Sequence, residues 1–128
     1  MITILFTFSG IVQRNLGRGN QLGFPTANID VAANTEEGIF VAITEYKGNK
    51  YPSVLFIGPS VTFNETDKKA EIYILDFDEN IYGKTLSIKV LKKLRVNEKF
   101  TTVENLIEKM KTDEQNAREF FKGIADNE

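Results

Sequence analysis

Three groups of residues in this chain have types and spacing that could do chemistry. The first is the run Gly17-Arg18-Gly19-Asn20-Gln21-Leu22-Gly23-Phe24-Pro25-Thr26-Ala27-Asn28. Glycines let backbone N–H groups close on a phosphate. Arg18 adds a fixed positive charge, and Thr26 and Asn28 offer neutral oxygens of the kind Mg²⁺ accepts. The same run also reads as a glycine-rich hairpin turn entering a proline-containing loop, and the residues alone leave both readings open. The second group is Ala70-Glu71-Ile72-Tyr73-Ile74-Leu75-Asp76-Phe77. A carboxylate at the start of such a strand, beside large apolar groups, is partly desolvated and suited to general-base work. The bland alternative is a solvated Glu71 at a strand end, following Lys68-Lys69. The third group is Leu94-Arg95-Val96-Asn97-Glu98-Lys99-Phe100, in which Arg95 either orders a ligand or pairs with Glu98.

The composition narrows these options. The chain contains no cysteine and no histidine. Disulfides, thiolate chemistry, most zinc sites and His-dependent triads are therefore excluded. Any base must be a carboxylate, Lys or Tyr. With 16 basic and 18 acidic residues the net charge is −2, so no general field attracts nucleic acid, and a nucleotide would be held by a few placed groups. Two nucleotide motifs are approached and not met. A dinucleotide fingerprint beginning at Gly17 needs a glycine where Leu22 stands and a helix where Pro25 stands. Gly83-Lys84-Thr85 ends like a Walker A loop, but its leading glycine position is Asp78, and a β-turn is the better account.

At 128 residues the chain is expected to be one domain, able to bury about two-thirds of its unfolded surface. Met1 to Phe6 is apolar without a basic flank and reads as a first strand, not an export signal or membrane span. A cytoplasmic, monomeric protein is expected.

The elements that must position these groups follow from periodicity. Strands are expected over Ile4–Gln13, Ile39–Tyr46, Tyr51–Ile57, Ala70–Phe77 and Thr85–Leu94, with a short extended piece at Asn28–Val31. Turns are expected at Lys47-Gly48-Asn49, Asn64–Lys68 and Asn80–Lys84. Alternation places Ile72 and Ile74 on one face and Glu71, Tyr73, Leu75 and Phe77 on the other. Near residue 100 the period changes. Thr101 with Glu104, then Thr112 with Gln115, have capping-box spacing. Each precedes an apolar stripe: Val103, Leu106, Ile107 and Met110, then Ala117, Phe120, Phe121 and Ile124. Two short helices are predicted. Strands in series with helices only at the end point to a mainly β fold: a small closed antiparallel Greek-key barrel of about six strands, spanning about 4–94, with C-terminal α-helices packed on it at about 101–124.

The first run resembles the signature of the riboflavin kinase family, in which a Gly-Arg-Gly loop leads into Leu-Gly-(Phe/Ile)-Pro-Thr-Ala-Asn. Gly10-Ile11-Val12 is similar to that family's opening Gly-x-Val strand. Ile57-Gly58-Pro59-Ser60-Val61-Thr62-Phe63 is similar to its Ile-Gly-x-x-Pro-Thr-Phe loop, and Leu94 to Phe100 to its Leu-Arg-x-Glu-x-Phe segment at the flavin site. Asp113 and Arg118 match its helix pattern Asp-x-x-x-Ala-Arg. The chain departs from the pattern at Asn15, at Val61, and at Tyr73, where many members carry His. The resemblance implies transfer of the γ-phosphoryl group of ATP to the 5′-hydroxyl of riboflavin, giving FMN and ADP. It implies Glu71 as the catalytic base, and Mg²⁺ (or Mn²⁺ or Zn²⁺) held by Thr26 and Asn28. Phosphate or flavin contacts are implied at Gly17, Arg18, Gly19, Gly23, Pro25 and Arg95. No catalytic part is expected of Tyr73, whose phenol does not exchange protons near neutral pH without a large shift. A stand-alone kinase is the implied form. A non-catalytic flavin- or nucleotide-binding barrel is the alternative.

Overall fold

The computed structural model describes residues 3–13, 26–59 and 68–126. Six strands and one helix lie within them: β1 Phe6–Ile11, β2 Ala27–Asp30, β3 Gly38–Tyr46, β4 Asn49–Pro59, β5 Lys68–Ile74, β6 Thr85–Arg95 and α1 Val103–Asp126. The sheet order is β1-β6-β3-β4-β5-β2 with every neighbouring pair antiparallel. β3, β4 and β5 are consecutive neighbours and β6 returns beside β3, which is the Greek-key arrangement expected from strands in series.

Each strand's sequence explains its place. β1 alternates half-buried Phe6, Phe8 and Gly10 with exposed Thr7, Ser9 and Ile11, so one face meets the core and the other meets solvent. The first five residues of β3 are all buried, because its inner face lines the barrel and its outer face lies under the helix. β3 and β4 join through Lys47-Gly48, both at positive φ, the mirror-image turn that matches strand twist. Register shifts between β3 and β6 at Ile39/Phe40 and Val41/Ala42 bend β6 and help curl the sheet.

The sheet nearly closes on itself where β1 meets β2. Gln13 N–H donates to the Asn28 carbonyl at 2.8 Å and forms an antiparallel bridge with it. Gly10 permits this approach, since a Cβ there would lie 2.4 Å from Cγ2 of buried Ile29. Closure satisfies the edge groups of a four-residue strand that could not stand alone. The interior is filled by Ile29, Phe40, Leu55, Ile57, Ile72, Leu86 and Ile88, with Phe6 packed edge-on against Phe40. At the far side, Tyr46, Tyr51 and Phe77 pack edge to face. Lys68 ties the 31–37 loop down by donating to the carbonyls of Ala33 and Thr35.

A second apolar cluster lies outside the barrel. Ile39, Val41, Val54 and Leu75 meet Ala117, Phe120 and Phe121 of α1. The helical region differs from expectation in a telling way. One helix of 24 residues replaces the two predicted. Its cap is Thr102, whose hydroxyl accepts the Asn105 N–H at 3.1 Å, one residue beyond Thr101. Thr112 does not start a second helix; its hydroxyl donates back to the Glu108 carbonyl at 3.0 Å, a bond made within a continuing helix. Val103 lies exposed before the packed face begins. Met110, Asp113 and Ala117 form a single buried stripe that runs straight through the Thr112–Gln115 capping-box spacing, which therefore marks no helix start. Along β5 the predicted alternation holds from Ala70 to Leu75 and then fails. Asp76 takes a positive φ of 56°, which turns Phe77 back against the barrel interior.

Candidate functional site

The register of β2 and β5 creates the site. Asn28 is the direct partner of Glu71, and Ala27 of Ile72. Because paired residues share a face, the buried Ala27 and Ile72 point into the barrel while Asn28 and Glu71 stand together on the outer surface. Both are half-buried. Glu71 is not at a strand end, as the bland reading supposed. It sits mid-strand, with Asn28 on one side and Phe56 on the other. Thr26, just before β2 and 6% exposed, donates its hydroxyl proton to Glu71 Oε1 at 3.4 Å. Three oxygen-bearing side chains, two from the start of β2 and one from β5, therefore share one patch.

The pairing continues across the outer face. Phe56 pairs with Ile39, and Ile39 with Arg95, so Asn28, Glu71, Phe56, Ile39 and Arg95 form one transverse row. Strand spacing puts Arg95 about 14 Å from Glu71. Arg95 does not pair with Glu98. It makes a two-pronged contact with Asp113, Nε to Oδ1 at 2.9 Å and Nη2 to Oδ2 at 2.7 Å, and donates from Nη1 to the Val96 carbonyl at 3.1 Å. Asp113 is 1% exposed and lies mid-helix, not at a helix start. Arg118 likewise grips Asp76 with both Nη atoms at 3.0 and 2.9 Å, and Glu114 with Nε at 2.9 Å. Those two carboxylates hold its guanidinium well above its usual range, and in return the guanidinium lowers Asp76. The Tyr73 hydroxyl is pushed up from the ordinary phenol range, first by burial and then by the Glu114 carboxylate, which leaves it still less suited to proton transfer.

On the other side of the site, a cleft of about 360 Å³ opens beside Thr26. Ile72, Ile74, Phe77 and Ile81 supply apolar lining, and Asp78, Glu79, Asn80 and Tyr82 contribute polar groups. The Asn80 side chain accepts the Tyr82 N–H at 3.0 Å, fixing this turn. Gly83-Lys84-Thr85 follows as a turn whose backbone pairs with Val12 through Gly83 N–H to Val12 O and Val12 N–H to Lys84 O, both 2.9 Å. That is a barrel connection, not a phosphate cradle.

Among the described residues no group of three or more Asp, Glu, His or Cys is placed to hold a metal. Thr26 and Asn28 with neighbouring Glu71 form instead an all-oxygen donor set, which suits a hard cation that keeps water or phosphate oxygens as its other ligands. The residues present fit Mg²⁺ in that sense. Gly17, Arg18, Gly19, Gly23 and Pro25, with Asn15 and Val61, lie outside the described residues. Two contributions escaped the sequence reading. The cleft-lining turn 78–82 was visible only as a turn. Asn97 donates from Nδ2 to the Ile57 carbonyl at 3.1 Å. Gly58 leaves room for this, since a Cβ there would sit 2.9 Å from Asn97 Nδ2.

Comparison with known proteins bears on this geometry. The family model described as flavokinase, riboflavin kinase, matches residues 3–121. A bifunctional riboflavin kinase/FMN adenylyltransferase of Listeria monocytogenes is 35% identical over 125 residues, covering 94% of this chain and 40% of that protein. The crystal structure of riboflavin kinase from Trypanosoma brucei superposes with a TM-score of 0.63 at 25% identity, covering 91% of this chain and 79% of that one. A Streptococcus pneumoniae structure titled macrolide-efflux protein superposes with a TM-score of 0.76 at 33% identity, covering 88% of this chain and 38% of that one. The chain spans between 18% and 40% of the length of the first curated relatives it matches. Among its described residues no helix is long and apolar enough to cross a membrane.

Proposed function

Since the chain belongs to the riboflavin kinase family, we propose that it transfers the γ-phosphoryl group of ATP to the 5′-hydroxyl of riboflavin, releasing FMN and ADP, with barrel and helix acting as one cytoplasmic kinase module. The observation that carries this reading is the outer-face meeting of Thr26, Asn28 and Glu71. Phosphoryl transfer asks a protein mainly for positioning and charge neutralisation, and it needs neither histidine nor cysteine, both absent from this chain.

Glu71 takes the proton of the attacking hydroxyl. Its half-buried, mid-strand position beside Phe56 restrains it without removing it from reach. Thr26, donating weakly to Glu71, turns its lone pairs away from the carboxylate, and with Asn28 it would hold Mg²⁺. The metal, when bound, supplies neutralisation of charge on the phosphate oxygens. Backbone amides at Gly17, Gly19 and Gly23, with the Arg18 charge, are assigned to the phosphates by the properties of their residue types, and Pro25 to fixing the turn that presents Thr26 and Asn28.

The two substrates approach from opposite sides. The cleft beside Thr26 has apolar lining and two carboxylates, Asp78 and Glu79. Such a wall repels phosphates and accepts hydrogen bonds from an amine-bearing base, so the nucleotide base occupies it with the phosphates directed to Thr26. The acceptor lies on the outer face, its hydroxyl at Glu71 and its ring toward Phe56 and Arg95. Three guanidinium N–H groups of Arg95 are engaged by Asp113 and Val96, leaving two of its five for the flavin.

The test is direct. The purified chain, incubated with riboflavin, ATP and Mg²⁺, should form FMN, and Glu71→Gln should abolish most of that activity. A folded chain that binds flavin yet forms no FMN would be the binding-only barrel instead.

A further inference from the structure

Two residues along the β2–β5 ladder from Asn28 and Glu71 lies a polar group that the reaction does not explain. Asp30 is the direct partner of Lys69, so this pair stands on the same outer face as Asn28 and Glu71 and next to them. The Lys69 ammonium contacts the Asp30 carboxylate and also donates to Gln13 Oε1 at 3.1 Å. Gln13 Nε2 donates to the other Asp30 oxygen. The three side chains therefore form a closed ring of contacts, each touching the other two. Gln13 is also the residue whose N–H bridges to the Asn28 carbonyl at 2.8 Å. The ring spans β2, β5 and the chain leaving β1, at the seam of the barrel.

We propose that Gln13, Asp30 and Lys69 are a positioning clamp that fixes the distance between Asn28 and Glu71 across this seam. β2 is only four residues long, and two side chains assigned to the site stand on it or immediately before it. A strand so short is held by what grips its two edges. On one edge the grip is the β5 ladder, and on the other it is Gln13. The ring joins both grips on the face where the chemistry occurs. It contributes little to holding the fold, because Lys69 and Asp30 side chains are 30% and 63% exposed and exposed ion pairs add little stability. A small error in the placement of a base or donor, by contrast, costs rate steeply.

The clamp rests on the reading of Glu71 as base, and steady-state kinetics of the full chain with riboflavin, ATP and Mg²⁺ separate the two. Lys69→Met is expected to lower kcat about tenfold, with KM for riboflavin within about twofold of wild type and Tm nearly unchanged. Lys69→Arg should recover most of the loss, since it restores the cation between Asp30 and Gln13. Asp30→Asn, which keeps the shape of the ring and removes its charge, should show the same kcat defect and covers the case in which Lys69→Met folds poorly. In a Glu71→Gln background, Lys69→Met should add no further loss, because a positioning residue acts through the group it positions. Wild-type kcat in Lys69→Met beside a disabled Glu71→Gln would overturn the clamp and leave the base standing. Multiplying losses in the double variant, or a rise in KM for ATP with kcat intact, would make Lys69 an independent phosphate contact and equally overturn it. Full turnover in Glu71→Gln would remove the base and the clamp together.

Discussion

The two ends of the outer row, Asn28 with Glu71 at the barrel seam and Arg95 with Asp113 under the helix, are built on opposite plans. At the helix end a guanidinium and a carboxylate meet in two short bonds of 2.7 and 2.9 Å, with Asp113 almost wholly buried. Charge-assisted forks of this kind are strong and rigid. At the seam, Asn28 and Glu71 stand half-buried beside the buried Thr26, and the Thr26–Glu71 contact is long at 3.4 Å. The difference separates two tasks on one sheet face. Charges locked to each other stabilise the packing of helix on barrel, while the oxygens at the seam are the ones assigned to ligands.

That contrast can be broken by experiment. The largest effect is expected from Asp113→Ala, which leaves the half-buried Arg95 without its carboxylate partner. It should cost about 3 kcal/mol of stability, seen as a fall in Tm, with KM for riboflavin rising more than kcat falls. Glu71→Gln should do the reverse, lowering kcat by about 10²-fold or more while Tm holds and ATP still binds. If Glu71→Gln instead lowers Tm like Asp113→Ala, the division of labour fails. Asn28→Ala should weaken the dependence on Mg·ATP by about tenfold, measured as the Mg²⁺ concentration for half-maximal FMN formation. An unchanged metal dependence would take Asn28 out of the donor set. The smallest effect belongs to Asp76→Asn at the exposed Arg118 contact. Arg118 lowers the Asp76 carboxyl below its usual value of 3.8 in the folded protein. The pair's contribution is therefore full above that value and lost as pH falls through the folded pKa. The Tm difference between Asp76→Asn and wild type should be small, constant from neutral pH down to about 5, and gone in stronger acid.

Much of the fold was legible because its signals are local. Alternating apolar residues marked five strands near their observed places, and Lys47-Gly48 marked the hairpin. The helix was misread because Thr112 and Gln115 have capping-box spacing, and the contact that holds the helix at that point, buried Asp113 with Arg95, spans 18 residues of sequence. Phe77 was assigned to the wrong face because the backbone reverses at Asp76, a choice that strand alternation cannot anticipate. Of the candidate site, the residue types were readable but not their meeting. Gln13, Asp30 and Lys69 carried no motif at all.

By itself the sequence determined which chemistry was open to this protein. The absence of His and Cys restricted any base to a carboxylate, Lys or Tyr, and the resemblance carried by the 17–28 run pointed to phosphoryl transfer with Glu71 as the expected base. Only the tertiary structure decided that Asn28 faces Glu71, that Arg95 is tied to Asp113, and that Asp30 and Lys69 stand beside the site. Those relations follow from strand register and barrel closure. Shifting β2 by one residue against β5 would turn Asn28 into the core and bring Ala27 out. Burial of Ala27, Ile29, Ala70 and Ile72 together forbids that shift, so packing on the inner face sets the geometry of the outer one.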